Sequence, residues 1–127
     1  MPTEEQMKEV IGRYAESFST RDLTTLLSLF TEDAVQADPA NVPANVGLEA
    51  IATFIQNSYD ATTSSSWKAN RTFCCGDYTA VDFRVDIAMD GGSASIEGIE
   101  VFTFADDGRI RAVTAYWGDA DMVFSPT

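Results

Sequence analysis

Ser95-Ile96-Glu97-Gly98-Ile99-Glu100-Val101-Phe102-Thr103-Phe104 is the stretch on which the reading of the whole chain turns. It runs between two turn sequences, Asp90-Gly91-Gly92 before it and Asp106-Asp107-Gly108 after it. Turn, β-rich run, turn is the pattern of a middle strand in an antiparallel meander. The two-residue period puts Ile96, Gly98, Glu100, Phe102 and Phe104 on one face. A carboxyl group therefore sits among apolar neighbours, where an ionised carboxylate is costly unless paired. Such a group takes up a proton instead, and the neutral acid becomes a hydrogen-bond donor inside an apolar pocket.

On either side of this strand the pattern continues. Val81, Phe83, Val85, Ile87 and Met89 alternate with Asp82, Arg84 and Asp86, and strands are expected from Trp67 onward. After the Glu100 strand, residues 109–118 predict a last strand, with Val113, Ala115 and Trp117 on one face. Ile110, Ala112, Thr114 and Tyr116 fall on the other. Two fairly apolar faces need two covers, helices on one side and a second subunit on the other.

The N-terminal half predicts helices. Thr3-Glu4-Glu5-Gln6 is a capping box, followed by the stripe Met7, Val10, Ile11, Tyr14 and Phe18. Asp22 caps a second helix with the stripe Leu23, Leu26, Leu27 and Phe30, closed by Thr31-Glu32-Asp33. A short strand, Ala34–Ala37, leads to Asp38-Pro39, where the strand gives way to a loop. Gly47 precedes a third helix carrying Leu48, Ile51, Phe54, Ile55 and Tyr59. Thr62-Thr63-Ser64-Ser65-Ser66 reads as a polar linker. Three helices with a short strand among them, then four longer antiparallel strands, make an α+β fold: a curved antiparallel sheet wrapped around three N-terminal helices, with an apolar pocket between the layers.

Composition narrows the function. The 127 residues suit one domain, 1–127, and 45% of them are hydrophobic. Eight Lys and Arg against 20 Asp and Glu give a net charge of −12, which argues against nucleic acid or an anionic membrane as partner. No apolar run is long enough for a membrane span and the N-terminus is acidic and polar, so a cytoplasmic, cofactor-free protein is expected. The adjacent Cys74 and Cys75 point to opposite faces of a strand, so no mutual disulfide is expected. With no histidine, neither a metal site nor Ser-His-Asp chemistry is expected.

Tyr14 on the first helix, Asp38 at a strand end and Glu100 in mid-strand each have an ordinary structural explanation when taken alone. Together, and with their surroundings, they resemble the ketosteroid isomerases of the NTF2-like superfamily. The matching segments are Arg13-Tyr14, Leu29-Phe30-Thr31-Glu32-Asp33-Ala34, Asp38-Pro39, Phe83-Arg84-Val85, Gly98-Ile99-Glu100-Val101, Asp107-Gly108-Arg109-Ile110 and Ala115-Tyr116-Trp117. They span nearly the whole chain in order. The resemblance implies an NTF2-like cone and a cofactor-independent steroid Delta-isomerase that acts by proton transfer. Asp38 matches the general base, Tyr14 the oxyanion-hole tyrosine, and Glu100 the oxyanion-hole carboxylic acid, which is an aspartate in the family. Such an acid is kept neutral by its apolar site. Phe83, Val113, Ala115 and Trp117 are the substrate-binding candidates for a steroid-like ketone, and a homodimer is implied. Phe30 and Ile55 occupy positions where some members carry supporting tyrosines.

Two other readings remain open at this level. One is a polyketide-cyclase-like or epoxide-hydrolase-like enzyme, which wants an arginine between two carboxylates; the candidates are Arg71, Arg84, Arg109 and Arg111. The other is a non-catalytic binding or dimerisation module of the same fold.

Overall fold

The computed structural model describes residues Met1–Thr127. Helix α1 (Glu4–Ser19) starts at the expected capping box: the Gln6 amide donates to Thr3 Oγ1 (3.1 Å) and the Thr3 amide to Gln6 Oε1 (2.8 Å). Helix α2 (Leu23–Ser28) is capped by Asp22, whose Oδ1 accepts from the Thr25 amide at 3.1 Å. Helix α3 spans Leu48–Asp60. The strands are β1 (Phe30–Ala37), β2 (Asn45–Val46), β3 (Ser64–Cys75), β4 (Tyr78–Met89), β5 (Gly92–Phe104), β6 (Ile110–Tyr116) and β7 (Met122–Pro126).

All seven strands form one sheet in the order β2-β1-β6-β5-β4-β3, with β7 alongside the first half of β5. The fold is the expected α+β cone, a curved and mostly antiparallel sheet closed over three helices. Its core joins Met7, Ile11 and Tyr14 of α1 and Ile51, Ile55 and Tyr59 of α3 to the inward side chains of the sheet. Phe102 and Phe104 are fully buried there, as the alternation in β5 requires. The turn after β5 is closed by Gly108, whose φ of 87° lies where side-chain-bearing residues are disfavoured. Cys74 and Cys75 are both free thiols.

Five expectations are corrected. Phe30 does not belong to the α2 stripe: the helix has only 6 residues, and the Ile110 amide bonds the Leu29 carbonyl (2.7 Å), drawing Phe30 into the sheet opposite Ile110. The polar run 62–66 is not a linker, since Ser64, Ser65 and Ser66 pair with Ala88, Ile87 and Asp86 of the long β4. The β1–β6 pairing is parallel, and β7 is an additional strand. Ile110 is on the core side rather than the outer face, at 0% exposure. A register shift between Thr103 and Phe104 places Phe104 opposite Ile110 while Thr103 opposes Ala112. The unpaired Arg111 between them switches the strand's facing, as a bulge does.

Candidate active site

Between the helices and the inner face of the sheet lies a cavity of about 290 Å³, the lower end of the range for small-molecule sites. Tyr14, Asp38, Trp67, Phe83, Glu100 and Trp117 all line it, and no Lys or Arg does. Four elements and two segments that follow strands, Asp38 after β1 and Trp117 after β6, thus bring together residues far apart in sequence.

Tyr14 is held in mid-helix by aromatic packing. Its ring meets the edges of Trp67 (5.0 Å) and Phe102 (5.2 Å) and packs on Phe18 and Phe30. Burial pushes its hydroxyl well above the usual phenol range, with the charges of Glu100 and Asp38 acting in the same direction. It is therefore a donor, not a phenolate, near neutral pH. The neighbouring Tyr59 donates its own hydroxyl to the Phe18 carbonyl at 2.9 Å. Phe30 and Ile55, at the other supporting positions, are both buried and offer no hydroxyl.

Glu100 is 4% exposed and opposes Val81 of β4 and Ala115 of β6. Burial pushes its carboxyl well above the usual range, and the Asp38 charge adds to this. The Trp67 indole N–H works the other way, yet Trp67 Nε1 and Glu100 Oε2 remain buried without a formed hydrogen bond. Proximity and pairing are thus different things here: the indole is close enough to act on the carboxyl, but the pair lacks hydrogen-bond geometry. In its protonated form this carboxyl can donate a hydrogen bond within the cavity that Tyr14 also lines.

Gly98 shapes the wall next to Glu100. A Cβ there would run into the Tyr116 carbonyl oxygen and crowd Trp117 Cβ (3.1 Å) and Phe83 Cε1 (3.2 Å). Its absence lets the end of β6 close in, bringing Trp117 and Phe83 together over the cavity.

Asp38 follows the last residue of β1, where the chain leaves the sheet at Pro39. Trp117 Nε1 donates to Asp38 Oδ1 at 2.7 Å. Desolvation raises the Asp38 carboxyl above its ordinary range, and the Trp117 bond opposes that rise. The parallel register brings the two residues together: Gln36 pairs with Val113, Ala37 with Thr114, and the Ala40 amide bonds the Ala115 carbonyl (2.7 Å).

Of the substrate-binding candidates, Phe83 and Trp117 line the cavity. Val113 and Ala115 do not. Val113 packs in the core at 2% exposure, and Ala115, 1% exposed, lies in register with Glu100 on the neighbouring strand. Face assignment by alternation is sound for both, but both are buried and neither reaches the cavity. The four candidate arginines stand elsewhere, ion-paired as Arg71–Asp82, Arg84–Asp86, Arg109–Asp107 and Arg111–Asp77. No group of three or more Cys, Asp or Glu side chains is placed to hold a metal ion.

Trp67 was visible in the sequence only as the first residue of the β half. Arg21 gave no signal at all. Its guanidinium donates to the Tyr59 carbonyl (2.7 Å) and to Thr62 Oγ1 (2.6 Å), tying the end of α3 to the α1–α2 connection at the cavity rim.

A family model described as the SnoaL-like domain matches residues 11–113. A curated steroid Delta-isomerase from Nocardioides simplex is 28% identical over 121 residues, covering 95% of this chain and 97% of that protein. Both matches agree with the resemblance to the ketosteroid isomerases of the NTF2-like superfamily. Among solved structures, RV0760c from Mycobacterium tuberculosis superposes with a TM-score of 0.88 at 19% identity, over 98% of this chain and 100% of that one. SalBIII, an epoxide hydrolase/cyclase-like enzyme in pyran ring formation in the polyether salinomycin, gives 0.87 at 21% identity over 96% and 98%. A computationally designed 17-OHP binder gives 0.86 at 19% identity over 94% and 98%. At these identities the structural likenesses establish the fold.

Proposed function

The chain belongs to the SnoaL-like domain family, and we propose that within it the protein is a steroid Delta-isomerase, converting a β,γ-unsaturated 3-oxosteroid to the α,β-unsaturated isomer. The observation that carries this reading is the cavity's division of labour. Two donors kept neutral by burial, Tyr14 and Glu100, share a cation-free cavity with a less buried carboxylate, Asp38.

The ketone oxygen lies against Tyr14 and Glu100. Asp38, ionised, takes the proton from the carbon beside the ketone; that C–H bond breaks and its electrons move onto the oxygen, giving a dienolate. Tyr14 and Glu100 stabilise the new charge with dipoles already in place. Asp38 then returns the proton further along the dienolate and the electrons flow back. Substrate and product are isomers, so the reaction needs no other reagent. Phe83 and Trp117 supply apolar wall, and Trp117 also orients the base. A cyclase- or hydrolase-like reaction using an arginine between two carboxylates is less well supported, because no arginine lines the cavity.

Asp38→Asn tests the proposal. A carboxamide cannot accept the migrating proton, so isomerisation falls by at least about 100-fold while a phenol mimicking the enolate binds no more weakly. Turnover within about tenfold of wild type, a barrier change of only about 1.4 kcal/mol, would remove Asp38 from the mechanism.

We also propose a homodimer formed through the outer face of β5 and β6, where Ile99 opposes Tyr116 and Val101 opposes Thr114. Ile99 and Tyr116 are 42% and 54% exposed in the single chain. Sedimentation that finds only monomer at micromolar concentration would contradict it.

A further inference from the structure

Two buried polar atoms of the cavity wall have no hydrogen-bond partner: Trp67 Nε1, a donor, and Glu100 Oε2. Buried unpaired polar groups are rare in folded proteins, and each calls for a physical account. Here one orphan is a donor and the other belongs to a carboxyl, both residues line the same cavity, and the indole acts on the Glu100 carboxyl. The other carboxyl oxygen, Oε1, is not among the buried orphans and is reached from the cavity.

The indole has little freedom to turn away. Its ring is stacked on Phe83 (6.0 Å, 7° between planes) and meets the edges of Tyr14 and Phe102. The Trp67 amide is pinned to the end of α1 by Ser19 Oγ at 2.9 Å. The strand carrying Trp67 is thereby registered to the helix carrying Tyr14.

We infer that Trp67 is the positioning residue of Glu100: a small turn of the carboxyl closes a hydrogen bond from the indole N–H to Oε2, so that the carboxyl proton is carried on Oε1, toward the reacting oxygen. A carboxylic acid that accepts on one oxygen donates more strongly from the other. As the Oε1 proton leans toward the developing oxyanion, Oε2 gains negative charge and the indole bond shortens. The two residues lie on β3 and β5, separated by β4, so the pair also fixes the carboxyl's position across the sheet. The inference rests on reading Glu100 as an oxyanion donor.

The experiment follows the Trp67 indole ¹⁵N–H resonance and the Glu100 carboxyl ¹³C resonance of the intact protein against pH, without steroid. Other groups facing Glu100 are Tyr14 on α1 and Asp38 at the end of β1, with Tyr59 on α3 beyond Tyr14; no Lys or Arg lines the cavity. Asp38→Asn removes the one carboxylate whose titration would overlap. The expected result is an indole resonance that moves with the Glu100 midpoint and is flat in Glu100→Leu. In Trp67→Phe, which keeps an aromatic ring in the stack, the Glu100 midpoint moves to higher pH. Affinity for a phenolate then falls about tenfold, or about 1.4 kcal/mol, and the same substitution made in Glu100→Leu changes it by less than about twofold. An indole resonance indifferent to Glu100 ionisation overturns the inference, as does a phenolate loss that persists undiminished in Glu100→Leu. Because no arm reads steroid turnover, a protein that shows the coupling but no isomerisation refutes the proposed function and leaves this inference standing.

Discussion

Glu97 and Glu100 lie three residues apart on β5 and face opposite sides of the sheet. Glu97 opposes Arg84 in register and accepts from its guanidinium at 3.4 Å, within an exposed group that also includes Asp86. Glu100 opposes Val81, has no cation near it and is closed off from water. The same functional group on the same strand is thus ion-paired and exposed on one face, and on the other is buried without a cation and pushed toward its neutral form. Parity along the strand sets which side each faces, and the surroundings of each side set its charge. The contrast extends across the sheet: its outer face holds Arg71, Arg84 and Arg111 with their carboxylates, and the cavity is lined by carboxyls without arginines.

Replacing Glu100 breaks this contrast most severely. Glu100→Leu leaves Tyr14 as the one fixed donor from this pair, and loss of such a donor lowers the rate by about 100- to 1,000-fold. Glu100→Gln, which keeps a donor of similar size, loses less. Stability moves the opposite way. The Glu100 carboxyl is raised in the folded state, so the folded protein holds a proton that the unfolded chain releases. The favourable contribution is complete below the unfolded value, about pH 4.3, and is lost as pH rises toward the folded value. Denaturant titrations across this window give a falling stability for wild type. Glu100→Leu shows a shallower fall, with Asp38 contributing what remains, and is at least as stable as wild type at high pH. A variant both less stable and fully active would make Glu100 a structural group.

A smaller effect is expected at the base. Trp117→Phe removes the 2.7 Å bond that holds the Asp38 carboxyl down against desolvation. The ionised form becomes harder to reach, so the acid limb of kcat/KM moves to higher pH while activity well above that limb falls by less than about tenfold. An unmoved limb would mean that the Trp117–Asp38 bond does not tune the base. The smallest effect belongs to the outer carboxylate. Glu97→Gln breaks an exposed ion pair and leaves kcat/KM within about twofold of wild type. A large loss of activity there would show that the two faces are coupled, and the comparison would fail.

Much of this contrast is legible in local patterning. The capping box at Thr3, the Asp22 cap, the turns flanking β5 and the alternation through β4 and β5 depend on residues within a few positions of each other. They suffice to place the three helices and the four long strands, and to turn Glu100 inward and Glu97 outward. The same patterning cannot separate a helix stripe from the start of a strand at Phe30, because an apolar side chain at a boundary suits both. Nor can it foresee that Ser64–Ser66 would be recruited as strand by β4.

The sequence by itself determined the kinds of element, their order and the parity that aims Tyr14, Phe83 and Glu100 at one interior. Only the tertiary structure decided which strands became neighbours and with what offset. The parallel β1–β6 register joins segments about 80 positions apart and seats Asp38 on the Trp117 indole, whose bond spans 79 residues. The bulge at Arg111 buries Ile110, the close approach at Gly98 sets Trp117 beside Phe83, and the lock between Ser19 and Trp67 ties β3 to α1 with the indole N–H buried and unpaired. Each of these is a contact between segments distant in the chain, decided by packing and hydrogen-bond satisfaction over the whole sheet. A periodicity within one strand carries no record of its partner's offset.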